Sequence, residues 1–336
     1  MFPYKITKID GNDGKELLEL FQGEKEGFVQ VGPKKWALPA KYAEHAEKFY
    51  TFVLKQDDLW VMTFPRSGTT WMQELIWQVN NKLDFETSSK IPLADRVPFF
   101  EFNFLMSDKF VEEIMELNDS DPEVVRELKM WDTPGYIYGQ SMKSPRYFKT
   151  HLPPSLMPPN LIDTCKVIYV ARNPLDVAVS FYHQNKLFKL NDFQSDFHKY
   201  WELFEKDLIL YSPYWEHIKE GWEKRHHPNF LFLFYEDLLR DLPGNIRKIC
   251  TFLNKQMTED EIKRLADHLH IDNFRQNMVF TMEFGMEGMV NPEAQGFIRR
   301  GKIGGNEEFD DDKIKLRAEK WFKENLAKTD IVFPEF

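Results

Sequence analysis

The sequence predicts an α/β fold: a single domain built on a mostly parallel sheet flanked by helices. Two observations predict it. Short runs rich in β-branched and aromatic residues, LWVMTF (59–64), KVIYVA (166–171) and NFLFLFY (229–235), have the unbroken apolar character of strands covered on both faces. Each is followed by a turn and then helical spacing: TTWMQELIWQV, PLDVAVSFYHQNKLF and EDLLRDLPGNIRKICTFL. Strand, turn and helix in repetition is the pattern of a wound parallel sheet, whose ligands sit beyond the carboxyl ends of the strands.

In chain order, the N-terminal MFPYKITKIDGNDGKELLEL is charged and lacks the apolar core of a secretory signal. The acidic, amphipathic stretch 108–132 reads as two short helices broken at Pro122. SPRYFKTHLPPSLMP (144–158) reads as extended chain, and GFIRRGKIGG (296–305) as a basic glycine-rich loop. The segment 307–326 reads as a final helix whose acidic start suits a helix N-terminus. No repeat or Gly/Ser linker divides the 336 residues.

A net charge of −10 argues against diffuse nucleic-acid binding, although it leaves room for a locally basic cleft. The two cysteines, Cys165 and Cys250, suggest neither a disulfide framework nor a metal site, which fits a reducing compartment. The longest apolar runs are strand-sized. A cytoplasmic protein with no nucleic-acid or membrane partner is therefore expected. Thirty phenylalanines are ample for the core and can also line an apolar ligand pocket.

The chemistry concentrates at TFPRSGTTW (63–71), a P-loop-like turn between a strand and a helix. It lacks the spaced glycine and the lysine of a nucleotide P-loop but relies on the same physics. Gly68 lets a ligand approach the backbone, Ser67, Thr69 and Thr70 offer hydroxyls, and Arg66 offers a permanent charge beside the positive end of a helix. Lys149 and His151 lie two apart on extended chain and so point the same way. A cation beside an imidazole suits transfer of an anionic group to a hydroxyl. Arg172 ends a strand where it can grip phosphate, although Asp176 can equally pair with it. His183, His217, His226 and His227 read as structural.

Taken in order, TFPRSGTTW, SPRYFKTHLP, VIYVARNPLDVAVSFYH and FIRRGK resemble the cytosolic sulfotransferases. RVPFFEF (96–102) and residues 224–253 extend the resemblance, which runs from about residue 35 to 325. It implies a single sulfotransferase domain over residues 1–336. It also implies transfer of a sulfuryl group from 3′-phosphoadenosine 5′-phosphosulfate (PAPS) to a hydroxyl of a small, largely apolar acceptor. PAP is the product, and no metal is required. The acceptor would be a phenol, a steroid-like alcohol or a retinoid. By this resemblance His151 is the general base, and Arg66, Lys149 and Ser180 complete the catalytic set.

The same resemblance puts the 5′-phosphosulfate on Arg66, Ser67, Gly68, Thr69 and Thr70, and the adenine against Trp71, Tyr235 and Phe274. The 3′-phosphate falls to Arg172, Ser180, Arg299, Arg300 and Gly301. Tyr42, Phe99, Phe100, Lys149 and His151 would face the acceptor.

The chain departs from the family at several points. Arg66 replaces the usual lysine, Gln184 an aromatic residue of the acceptor pocket, and Asp272 a small hydroxyl residue. IGGNEEFDDD replaces the segment carrying the family's dimer motif, so monomer and dimer both stay open. An insert of about residues 105–145 is expected to roof the acceptor site. Two other chemistries also stay open: sulfonation followed by elimination of sulfate, and ATP-dependent phosphorylation of a small molecule. A ligand-binding protein without turnover is a third alternative.

Overall fold

The computed structural model describes residues 1–277, 286–297, 303–304 and 307–334. A parallel sheet of four strands organises it: β4 (Leu59–Thr63), β5 (Tyr147–Thr150), β6 (Lys166–Ala171) and β7 (Phe230–Phe234), in spatial order β5-β4-β6-β7. Before it, β1 (Ile6–Lys8), β2 (Phe28–Val31) and β3 (Trp36–Pro39) form a small antiparallel sheet. The three apolar runs are strands; β5 and the antiparallel sheet add to them.

Alternation along the strands divides the interior. Trp60 and Met62 of β4, Phe148 of β5 and Tyr169 of β6 enter one core, shared with β1–β3 and helices Phe197–Glu205, Tyr214–Glu223 and Asp312–Leu326. Leu59, Val61, Tyr147 and Ile168 enter the other, beneath helices Thr69–Asn80, Leu242–Leu253 and Glu259–Leu269. Both faces are covered, which is why these strands read as nearly continuous apolar runs.

The register brings the strand ends together. Met62 pairs with Thr150, and Thr63 with Val170. At the opposite end, Arg146 grips Asp58 through Nε (2.6 Å) and Nη2 (2.5 Å), with both residues buried.

The acidic stretch forms two helices, Asp108–Leu117 and Pro122–Asp132. Ser107 caps the first and Asp121 the second, while Pro122 occupies a first-turn position where a missing N–H costs nothing. Lys41, 7% exposed, joins them to the body: its Nζ donates to Asp108 (2.7 Å), Asp132 (2.8 Å) and the Met106 carbonyl (3.0 Å). Beneath them Phe110, Ile114 and Leu128 pack with Leu187, Phe188, Met286 and Met289 in a third small core.

Candidate functional site

The turn 64–68 leaves β4 at its carboxyl end and starts the helix Thr69–Asn80. Gly68 caps that helix with a left-handed φ of +95° and no side-chain acceptor. The first N–H groups of the helix are thus left for a ligand, and the dipole favours an anion there. Arg66 also has a positive φ, +68°, which directs the chain around this turn. The Tyr235 ring lies against Gly68, so only a glycine leaves the backbone open.

His151 follows β5. Its Nδ1 lies 2.9 Å from the Thr63 carbonyl and 3.1 Å from the Thr63 hydroxyl. Because a carbonyl only accepts, Nδ1 carries the hydrogen and Nε2 keeps its lone pair. Burial, then the charge of Lys149, holds the imidazole well below its ordinary pKa, so it is neutral at pH 7. The structure also fixes its main chain. Glu101 Oε1 accepts the His151 N–H at 2.6 Å, and His217 Nε2 donates to the His151 carbonyl at 2.9 Å. His217 in turn accepts from Tyr169 at 2.6 Å, which makes it a brace rather than a reacting group.

Lys149 lies with Nζ 4.1 Å from the centre of the Phe99 ring. Burial lowers its pKa to about 8, with the Arg66 charge adding to the fall and Glu101 opposing it. Arg66 donates to Ser180 Oγ (2.9 Å), Gln184 Oε1 (3.2 Å) and the Phe297 carbonyl (2.8 Å), and stacks on the Phe297 ring at 4.4 Å. Arg172 donates to the Arg66 carbonyl at 3.0 Å, lies over Tyr235 at 4.4 Å and pairs loosely with Asp176 at 3.9 Å. Asp176, in helix Pro174–Leu187, also accepts the Gly304 N–H at 3.2 Å.

His151, Lys149, Arg66, Arg172, Ser180 and Gln184 line a cavity of about 1010 Å³. One end holds Arg66, Gly68, Thr69, Thr70, Arg172 and Ser180, with Trp71, Tyr235 and Phe274 beyond. The other is apolar: Phe99, Phe102, Leu105, Met130, Trp131, Tyr138, Phe188, Leu210 and Tyr211. His151 adjoins both ends. Thr63, beside the turn, holds its Nδ1, while Phe99 and Tyr211 lie edge-on to its ring at 5.0 and 5.5 Å.

Two residues expected at the acceptor do not line the cavity. Tyr42 and Phe100 are fully buried and absent from the cavity wall. Phe100 follows Phe99 in the chain and faces the opposite way, onto Trp60 (4.9 Å), Phe52 (4.9 Å) and Phe49 (5.2 Å). Tyr42 stacks on Phe49 in the same core. Ser67 is buried behind the turn, with no partner for its hydroxyl among the described residues. Asp272 is exposed. Arg299, Arg300 and Gly301 lie outside the described residues.

Sequence reasoning missed Thr63, Glu101, Met130, Trp131 and Tyr211. Thr63 acts through a carbonyl, which any residue has. Glu101 lies 50 residues from His151 with no spacing to signal the contact.

The donor set fits a phosphorylated nucleotide: an uncapped helix N-terminus, two guanidinium groups and aromatic faces on one wall. The comparisons with known proteins agree. Luciferin sulfotransferase of Photinus pyralis is 29% identical over 98% of this chain and 88% of its own. Sulfotransferase 1A1 of Canis lupus familiaris is 31% identical over 82% of this chain and 88% of its own. Retinol dehydratase solved with retinol and PAP is 36% identical over 99% of both chains, with a TM-score of 0.92; its complex with androsterone and PAP gives 0.91. The sequence profile described as "Sulfotransferase domain" matches residues 56–330, and the chain belongs to that family as a PAPS-dependent sulfotransferase.

Proposed function

We propose that this enzyme sulfonates the hydroxyl of an elongated apolar alcohol, retinoid- or steroid-like, with His151 as general base. The observation that carries this is His151, its Nδ1 held by Thr63 and its Nε2 without a partner among the described residues, at the junction of an anion-binding turn and an aromatic chamber. PAPS supplies the sulfuryl group.

Each residue has a part in this reading. Thr69, Thr70 and the N–H groups after Gly68 hold the 5′-phosphosulfate, with Arg66 and Lys149 neutralising charge as it moves. Arg172 and Ser180, with Arg299, Arg300 and Gly301, take the 3′-phosphate; Trp71, Tyr235 and Phe274 enclose the adenine. The acceptor hydroxyl gives its proton to Nε2 as its oxygen bonds to sulfur. The bond from sulfur to the 5′-phosphate oxygen breaks, and PAP leaves. Positioning and charge placement dominate such a transfer, as they do in phosphoryl transfer.

Phe99, Phe102, Trp131 and Tyr211 offer the acceptor flat apolar surface, and Met130 and Trp131 bring the insert onto the chamber. The neighbours holding retinol and androsterone support an acceptor of that length. Likeness to retinol dehydratase over 99% of both chains favours a second outcome for allylic alcohols: the sulfate ester loses sulfate and a proton, giving net dehydration. A reducing, cytoplasmic compartment is supported by two free, buried thiols, Cys165 and Cys250. Among the described residues, no helix is long and apolar enough to cross a membrane.

Incubation with PAPS and retinol, androsterone or a simple phenol, followed by mass spectrometry, tests the reading. A sulfate ester or a dehydrated product is expected with the wild type, and neither with His151→Ala. Equal turnover by the two proteins would refute it.

A further inference from the structure

Glu101 is fully buried beside the base, and the reading above gives it no role. Its placement is built in. Lys149 N–H donates to the Pro98 carbonyl and Phe100 N–H to the Lys149 carbonyl, both at 2.9 Å, so residues 98–100 run parallel to β5. That register sets Glu101 beside His151. Oε1 then accepts two successive N–H groups, from His151 at 2.6 Å and Leu152 at 3.2 Å. A carboxylate cut off from water is sustained by such donors and by a nearby cation. The cation here is Lys149, whose charge acts on Glu101 as that of Glu101 acts on Lys149.

We propose that Glu101 is a positioning residue for sulfuryl transfer, fixing the general base through its main chain and setting a carboxylate charge in the interior shared with Lys149. A purely structural acceptor at this point would need no charge, since an amide oxygen also accepts an N–H. The ammonium, by contrast, is cut off from water and subject to the charge of Arg66, and both effects favour loss of its proton, while the face of the Phe99 ring attracts it. Glu101 is the charged group that opposes that loss.

The groups facing this carboxylate are Lys149 and His151 from β5 and its extension, Tyr42 and Tyr138 from two helices, and Tyr211 from the loop ahead of helix Tyr214–Glu223. All three phenols are raised by burial first and by the Glu101 charge next, so they stay neutral across the working range. Glu101 itself is raised to about 7 by burial, with the His151 N–H and the Lys149 charge holding it down.

The test is the pH dependence of kcat in Glu101→Gln, an isosteric change that removes only the charge, using the best acceptor of the screen above. Affinity for PAP should stay within about twofold, kcat should fall about tenfold, and the alkaline limb should move about one pH unit toward acid. In a Lys149→Arg background, where the cation does not titrate, Glu101→Gln should move no limb. A wild-type limb in Glu101→Gln, or the same shift with arginine at 149, overturns the proposal.

Should Glu101→Gln not fold, the ¹⁵N-labelled wild type serves instead. The His151 amide proton should report a titration that Lys149→Met moves to higher pH. An amide signal invariant in both proteins from pH 5.5 to 9, a range of about 3.5 units around neutrality, also overturns it. The inference rests on His151 being the base, and the outcomes separate the two claims. Activity in His151→Ala removes the functional reading, whereas an inactive His151→Ala with an unshifted Glu101→Gln removes only this one.

Discussion

Tyr235 approaches Gly68 so closely that a Cβ at residue 68 would lie 2.7 Å from its Cδ2. The same residue has a φ of +95°, a backbone region that costs an L-residue about 1–2 kcal/mol. Gly68→Ala therefore has to displace a ring of the nucleotide wall and strain the turn together. We expect PAP affinity to fall at least tenfold, about 1.4 kcal/mol, in isothermal titration. Unchanged affinity would show that the turn does not meet the nucleotide.

Lys149 sets the alkaline behaviour. Burial lowers its pKa to about 8. Its positive charge is therefore present below that pH and lost as pH rises through it. The wild-type kcat should decline above about pH 8. Lys149→Arg, with a charge that persists, should be slower in absolute rate but free of that decline. A limb at the wild-type position in the arginine protein would assign it to another group.

Trp131 carries the insert onto the apolar end of the cavity. Trp131→Ala should raise acceptor KM about tenfold, the worth of roughly 1.4 kcal/mol of lost contact, with PAP affinity unchanged. Lys41→Met should act in the same direction, because it releases Asp108 and Asp132 at the ends of the two helices. Initial rates at varied acceptor and saturating PAPS decide it; an unaltered acceptor KM in both variants would separate the insert from recognition.

Asp58 tests the far end of the sheet. Its pairing with Arg146 is buried and two-pronged, and Asp58→Ala would strand a guanidinium in the interior. The expected loss is about 3–5 kcal/mol by chemical denaturation. A loss under about 1 kcal/mol, the range of an exposed pair, would mean that water reaches Arg146.

What could be read from the sequence follows burial. β4, β6 and β7 are covered on both faces, and their residues announce it. β5 reads YFKT, with the polar Lys149 and Thr150 in a four-residue strand, so its apolar signal is short and broken. β1, β2 and β3 are three or four residues long, too short for a period to show. The turn around Gly68 was legible because its chemistry is local: a glycine, a guanidinium and hydroxyls within five residues. Phe99 and Phe100 show the opposite case. Which of two adjacent rings faces the cavity depends on chain direction, and only the fold supplies that.

The pairing of Met62 with Thr150 has a consequence for robustness. Side chains along a strand alternate between faces, so sliding β5 by one residue would turn Lys149 and His151 away and present Thr150 instead. Trp60 stacked on Phe148 at 4.6 Å, deep in the interior, opposes such a slide. Proton abstraction is thus hostage to an aromatic pair that never meets a reactant. Substitutions there would surface as defects of turnover as well as of folding.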